Sequence, residues 1–222
     1  MGLKDKAVLE PGGLRNLSSI EFSAIPDGLV DNFEELLYED EGKTISDRYA
    51  GNTAQYERNT DSPVIRGDYS LKHTGSDQNT PMVSVDLPRE PVRGDTFAYF
   101  AYPDNQTPVS IVFGYTSDSE TYALTFSGDN FRLYKDGFGG DEVIGDTPVS
   151  LSGGEWYDVE IDWADPTITC RVFSVDQSSG DRQSEEASFS ADDTDYDNGQ
   201  CGYFSSFRPD DTGVFDDIRV ID

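Results

Sequence analysis

From Leu29 onward the chain breaks into short apolar or alternating runs divided by turn residues, and that rhythm restricts it to a β architecture. The runs are LVDNF, PVIR, YSLKH, MVSVDL, TFAYFAY, VSIVFGY, YALTFS, NFRLYK, EWYDVEIDW, TITCRVFSV, CGYFSSF and VFDDIRVI. Side chains on a strand alternate between its faces, so each run can be divided in two. In WYDVEIDW, Tyr157, Val159, Ile161 and Trp163 share one face, while Trp156, Asp158, Glu160 and Asp162 share the other. The first face predicts core and the second predicts solvent. The same parity places Tyr122, Leu124 and Phe126 together in YALTFS. About a dozen such strands, each wet on one side, predict two packed antiparallel sheets.

The turns are explicit. Ser127–Asn130 (SGDN) predicts a tight hairpin between YALTF and FRLY, and the three glycines of Lys135–Asp141 supply positive φ for a second one. Only ELLYEDE, near Glu35–Glu41, has helical character. Residues 1–28 differ in kind: PGG at Pro11–Gly13, a mixed segment LRNLSSIEFSAI and a Pro26-Asp27-Gly28 turn read as an extended N-terminal arm that mediates assembly. Residues 29–222 then form one domain, a common size for a single β-domain at about 200 residues. There is no internal repeat and no low-complexity tract.

Charge narrows the partners. The 222 residues carry 44 acidic and 16 basic side chains, a formal net charge of −28, with only five lysines among the basic ones. At ordinary ionic strength this much like charge repels itself, whereas the Debye length falls to about 3 Å at 1 M salt. The composition resembles that of a salt-adapted, haloarchaeal proteome, the alternative being an acidic mesophilic protein that binds cations or basic partners. Nucleic acid is disfavoured, because phosphate binding needs a basic patch. Aromatic residues at 12% argue for a folded chain. No run of about 18 apolar residues predicts a membrane span. The N-terminus has no secretory pattern, and Met1 favours a chain that is made without a leader.

The segment FRLYKDGFGGDEVIGDTPVSLSGGEWYDVEIDW, with Gly153, Gly154, Trp156, Tyr157, Val159 and Ile161 as its motif, resembles the concanavalin A-like lectin/glucanase superfamily, laminin-G-like modules in particular. That resemblance implies a jelly-roll β-sandwich. Glu160-Ile161-Asp162-Trp163-Ala164-Asp165 is similar to the Glu-x-Asp-x-x-Glu signature of the laminarinase-like glycosidases, whose outer carboxylates stand about 5–5.5 Å apart in a retaining enzyme. Asp165 departs from it by one methylene and sits before Pro166, so the expectation is a non-enzymatic protein with no catalytic residues. The sole histidine, His73, is expected on a strand surface.

The resemblance also implies a structural calcium between terminal strands, with Glu34 and Asp217 as the favoured ligands and Asp31 and Asp216 beside them. Gly67–Leu71 would contribute a backbone carbonyl. A glycan surface needs aromatic platforms with polar neighbours, and Tyr102, Asp104, Asn105, Tyr115, Tyr122 and Tyr134 are the candidates, with Tyr196 and Asn198 in an acidic loop. Cys170 and Cys201 fall in two C-terminal runs that could lie side by side, either as a disulfide or as two buried thiols.

Together these features predict a virion structural protein of a haloarchaeal tailed virus, a head decoration, turret, tail or fibre subunit. It would form homo-oligomers and contact other virion proteins through the arm, and it would touch host surface glycans. The alternative is an extracellular carbohydrate-binding or adhesion module of a halophile, and a glycoside hydrolase ranks last.

Overall fold

The structure is a computed structural model that describes residues 28–34, 38, 42–61, 63–74, 81–104, 108–126, 129–137, 142–205 and 213–221. The expected arm, apart from Gly28, and the candidate Asn105 lie outside the described residues, as does most of Glu35–Glu41. In chain order the elements are β1 (Leu29–Asp31), the single helical turn α1 (Ile45–Arg48), β2 (Tyr49–Gly51), β3 (Tyr56–Asn59), β4 (Ser70–His73), β5 (Met82–Ser84), β6 (Thr96–Pro103) and β7 (Val109–Ser117). They continue with β8 (Glu120–Phe126), β9 (Asn130–Lys135), β10 (Glu142–Pro148), β11 (Tyr157–Trp163), β12 (Thr167–Val175), β13 (Arg182–Asp192), β14 (Gln200–Ser205) and β15 (Gly213–Val220).

These strands form two antiparallel sheets. Sheet A runs β13-β12-β11-β6-β15-β4-β3, with β1 also on β15, and sheet B runs β10-β9-β8-β7-β14-β5-β2. Sequence neighbours pair as hairpins, β8 with β9 through Phe126 and Phe131 and β11 with β12 through Trp163 and Ile168. The jumps from β6 to β15 and from β7 to β14 bring the C-terminal strands to the middle of both sheets. The expected two-sheet, jelly-roll β-sandwich is thus the fold observed.

Its core is the space between the sheets. Phe113 on β7 meets Phe97 of sheet A at 5.5 Å and Trp163 of sheet A at 5.1 Å, while Tyr122 of its own sheet lies 5.1 Å away. Tyr157, Val159, Ile161 and Trp163 all point inward, as their alternation predicts, and so do Tyr122, Leu124 and Phe126. Each large side chain sealed this way contributes about 1.5–3 kcal/mol.

Four expectations are corrected. The supposed wet face of β11 is covered, since Trp156, Asp158 and Glu160 are 3%, 1% and 8% exposed. PVIR is not a strand, and its Ile65 instead packs on Phe100 as part of a loop lying over sheet A. His73 is buried against Tyr56 at 5.0 Å rather than standing on the surface, and burial lowers its pKa. Cys170 on β12 and Cys201 on β14 belong to opposite sheets and are two free buried thiols rather than neighbours in one sheet. Burial raises both thiol pKa values.

Candidate functional site

The outer faces of the two sheets are built differently. On sheet B, strand pairing lines up Ala50, Val83, Gly202, Val112, Ala123, Tyr134 and Val143 as one row across seven strands. Val83, Val112, Ala123 and Phe204 are buried there as one apolar cluster, and Tyr115 and Tyr134 pack on it while remaining partly exposed. Tyr115 reaches this face because the register shifts between Phe113 and Ser117, where Gly114 takes φ +60° against Trp163 and Tyr196. The next row is polar: Ser110, Thr125, Arg132 and Asp146 are successive partners. Ser110 donates to Thr125 at 3.1 Å, and Arg132 faces Asp146 at 3.8 Å. Tyr115, Thr125, Arg132, Tyr134 and Asp146 therefore reach solvent on one surface, over an apolar layer that is itself buried together with Ser110. A strand-paired row sets these side chains at fixed spacing.

Sheet A carries charge on its outer face. Asp158 and Glu160 sit beneath a layer of arginines: Arg182 binds both, through Asp158 at 2.6 Å and through Glu160, while Arg171 holds the other Glu160 oxygen at 2.7 Å. Arg219 reaches Asp158 at 2.6 Å, and Arg66 pairs with Asp217 at 2.9 Å. The guanidiniums sit over rings, with Arg182 over Phe173 at 4.3 Å and both Arg219 and Arg66 over Phe100, at 4.5 and 4.8 Å. The two carboxylates that resemble glycosidase acids are thus separated: Glu160 is held by two arginines, and Asp165 is exposed at the β11–β12 turn.

Among the expected calcium ligands the structure divides the four acids. Asp31 is fully buried and accepts from the Phe33 amide at 2.8 Å and from the hydroxyls of Tyr38 and Tyr49 at 2.7 and 2.5 Å. Asp217 is ion-paired with Arg66 and lies 3.6 Å from Arg219. One Glu34 oxygen accepts from the amides of Asp68 and Tyr69, so Gly67–Leu71 meets it with N–H groups rather than with the expected carbonyl. A side chain at Gly67 would strike the Glu34 carboxylate at 2.1 Å. Asp216 is different: Oδ2 accepts from the Ile65 and Arg66 amides at 3.3 and 3.2 Å, whereas Oδ1 is buried with no hydrogen-bond partner. Burial first, with Asp217 and Glu34 adding to it, pushes the Asp216 carboxyl well above the usual range. An orphaned carboxylate oxygen near a second acid fits a cation, and Asp216 with Glu34 rather than Asp217 would hold it. No group of three His, Cys, Asp or Glu side chains with metal-holding geometry occurs among the described residues, so backbone or water oxygens would have to complete the shell.

The expected glycan residues are scattered rather than gathered. Tyr102 packs on Trp156 at 5.3 Å on the sheet A side, and Asp104 is half-buried at the β6 end. Tyr122, expected as a glycan residue, is instead a core residue, as its place in the alternation of β8 requires, with its hydroxyl given to Asp193. The acidic loop after β13 is pinned by internal cations: Lys135 binds Asp193 at 2.8 Å and also Asp195, and Arg93 holds Asp197 at 2.7 Å. Tyr196 packs edge-on against Tyr122 at 4.9 Å and donates to Asp136, while Asn198 is exposed. A shallow cleft of about 350 Å³ lies between Trp156, Asp176, Gln177 and Gln183, but the Gln177 amide is engaged by the backbone of Trp156 and Val175. Among the described candidates, Tyr115 and Tyr134 share the outer face of sheet B, and Tyr102 and Asp104 lie near each other on the sheet A side. Sequence reading did not single out Arg132, Asp146, Arg171, Arg182 or Arg219, because lone arginines in alternating runs carry no motif.

No protein-family model matches the chain, and no curated protein does. Solved structures do match in fold. The carbohydrate-binding module CBM66 from Bacillus subtilis aligns at 16% identity over 74% of this chain and 93% of its own, with a TM-score of 0.51. A Bacteroides ovatus xyloglucan-locus protein, GH43B, aligns at 13% identity over 89% of this chain with a TM-score of 0.54, the match covering 40% of that longer protein. At these identities the likeness is one of fold, a two-sheet antiparallel β-sandwich.

Proposed function

We propose that the chain is a non-catalytic carbohydrate-binding module, extracellular in its setting, that holds a neutral glycan on the outer face of sheet B. The observation that carries this reading is Tyr134 standing on the apolar row beside the Arg132–Asp146 pair, with Tyr115 on the same cluster. Sugar rings present apolar C–H faces and a rim of hydroxyls, so flat aromatic platforms next to fixed donors and acceptors suit them. A non-catalytic role is supported by the two arginines on Glu160 and by the exposed turn that carries Asp165. Calcium, held by Glu34 and Asp216, would supply the positive charge that Asp216 Oδ1 lacks and would tie the loop after β1 to β15.

Affinity electrophoresis in gels containing soluble neutral polysaccharides, at about 2 M KCl so that the chain's own repulsion is screened, tests the reading. Tyr134→Ala should weaken retardation about tenfold, the scale of one lost ring contact of about 1.5 kcal/mol. Tyr102→Ala, on the other face, should leave it unchanged. Equal retardation of the wild type and Tyr134→Ala on every polymer that is bound would remove this face from consideration.

A further inference from the structure

The arginine layer on sheet A invites a second reading that rests on the module's being a carbohydrate binder but concerns a separate face. Four guanidiniums, Arg66, Arg171, Arg182 and Arg219, are linked there to three carboxylates, Asp158, Glu160 and Asp217. Glu185 and Glu186 lie on β13 as well, so the guanidiniums are fixed cations set within an acidic surface, in a chain whose formal net charge is −28. The acids beneath are buried and fix the guanidiniums in place, whereas Arg171 and Arg182 remain 31% and 32% exposed. Arg171 uses a single nitrogen, Nη1, on Glu160, which leaves its Nε–Nη2 edge unengaged, whereas Arg182 uses Nε and Nη1 and keeps Nη2 alone beside that edge. Both arginines bind the same carboxylate from opposite oxygens, which sets the forks side by side. Beside them, Ser188 pairs across from Arg171 and donates its hydroxyl to Glu185 at 2.6 Å, and Thr169 pairs with Ser190 in the next row, their oxygens 2.9 Å apart.

We propose that the Arg171–Arg182 pair on β12 and β13 is a subsite for the carboxylate of an acidic, uronate-bearing polysaccharide. A guanidinium fork matches a carboxylate with two parallel N–H···O bonds, and the buried acids hold the fork ready without lost side-chain entropy. The Thr169–Ser190 hydroxyl pair keeps one further donor for a sugar hydroxyl beside the charge. The same layout gives a distinctive salt dependence. A polyanion approaching this chain meets long-range repulsion from the whole molecule and attraction only at contact. Raising the salt from 0.1 to 1 M shortens the Debye length from about 10 to about 3 Å and removes the repulsion first. Binding should therefore strengthen with salt over that range, the reverse of ordinary polyanion binding.

The test uses the full chain and one polymer in two forms, polygalacturonate and its fully methyl-esterified derivative, in affinity electrophoresis across that salt range. The expected result is retardation by the acid form and little by the ester, rising with salt, and reduced about tenfold in Arg171→Gln. Arg171→Lys should recover part of it, and circular dichroism should show each variant folded. Since Arg171 makes one ion pair while Arg182 makes two, Arg171 is the safer position to change. Equal binding of both forms, binding that only falls with salt, or an unaffected Arg171→Gln would overturn the proposal. So would Arg171-dependent self-association without polymer binding, which would assign the pair to a second copy of the chain. Neutral-glycan binding through Tyr134 should be the same in Arg171→Gln, so the failure of either site can be told from that of the other.

Discussion

The outer face of sheet A and that of sheet B are both covered, yet they are covered by opposite means. On sheet A, Asp158 and Glu160 are sealed under arginines that sit over Phe100 and Phe173. On sheet B, Val83, Val112, Ala123 and Phe204 form a buried apolar floor. The difference shows that acidity in this chain has two uses. Among the described residues most carboxylates face water, but a few are structural and lie under cations supplied by the rarer basic residues. Removing a cation from such a site leaves a buried charge, whereas altering the apolar floor costs only packing.

The largest expected effect follows from that asymmetry. Arg182→Ala strips one cation from Asp158, which is 1% exposed, and from Glu160 at once. Breaking a buried pair typically costs about 3–5 kcal/mol. Because Arg171 and Arg219 remain, a loss near the lower end is expected in chemical denaturation at high salt, and a loss under about 1 kcal/mol would mean that the layer is merely superficial. On sheet B the sharpest change is Gly202→Ala. The added Cβ would stand 2.1 Å from the Met82 carbonyl oxygen, which is backbone and cannot swing away. Strands β5 and β14 must separate there, and overpacking of this kind costs about 1–3 kcal/mol. Were Gly202→Ala to cost more than Arg182→Ala, the comparison between the faces would be reversed.

How much of this was legible in the sequence depends on what each residue faces. The inward halves of β8 and β11 were readable because strict alternation places Tyr122, Leu124 and Phe126, or Tyr157 through Trp163, on one side. The outward half of β11 was misread. Alternation says that Asp158 and Glu160 point away from the core, but not that Arg171, Arg182 and Arg219, from three other strands, will close over them. Strands β10 and β13 went unseen for a related reason. They are the edges of their sheets and largely exposed, so RQSEEASFSAD has no apolar run to announce it. Of the candidate glycan residues, Tyr115 and Tyr134 share a face through a register shift after Phe113 that no local pattern encodes. The terminal acids were located as a group, but the partner contacts that separate Asp216 from Asp217 depend on Arg66 and Arg219 closing on only one of them.

Asp216 offers a cleaner break between charge held by arginine and charge left open. With a chelator present, Asp216→Asn should be as stable as the wild type or more so, because it removes a buried carboxylate whose Oδ1 has no donor. With calcium at about a hundred times its dissociation constant, the wild type should gain about 2.7 kcal/mol and the variant much less. Asp217→Asn, whose carboxylate already sits on Arg66, should keep most of the calcium response. Thermal unfolding with and without calcium reads all three, and an identical calcium shift in wild type and Asp216→Asn would exclude Asp216 as a ligand.

The smallest effect concerns Asp31, buried between the sheets without an arginine on its oxygens. Burial raises its carboxyl above 3.8, although Tyr49, the Phe33 amide and Tyr38 each pull the other way. A raised pKa means that the folded state binds the proton more tightly than the unfolded chain. Between 3.8 and the folded value, this group's contribution to stability therefore grows as pH falls and is lost as pH rises. Asp193, held by Lys135, has a lowered pKa and acts in the opposite sense, its contribution present above 3.8 and lost on acidification. Subtracting the stability profile of Asp31→Asn from that of the wild type isolates the first term, and Asp193→Asn isolates the second. The two difference curves should slope in opposite directions across the acid range. If they slope the same way, tyrosine hydroxyls are as effective as a lysine in holding a carboxylate ionised in this interior.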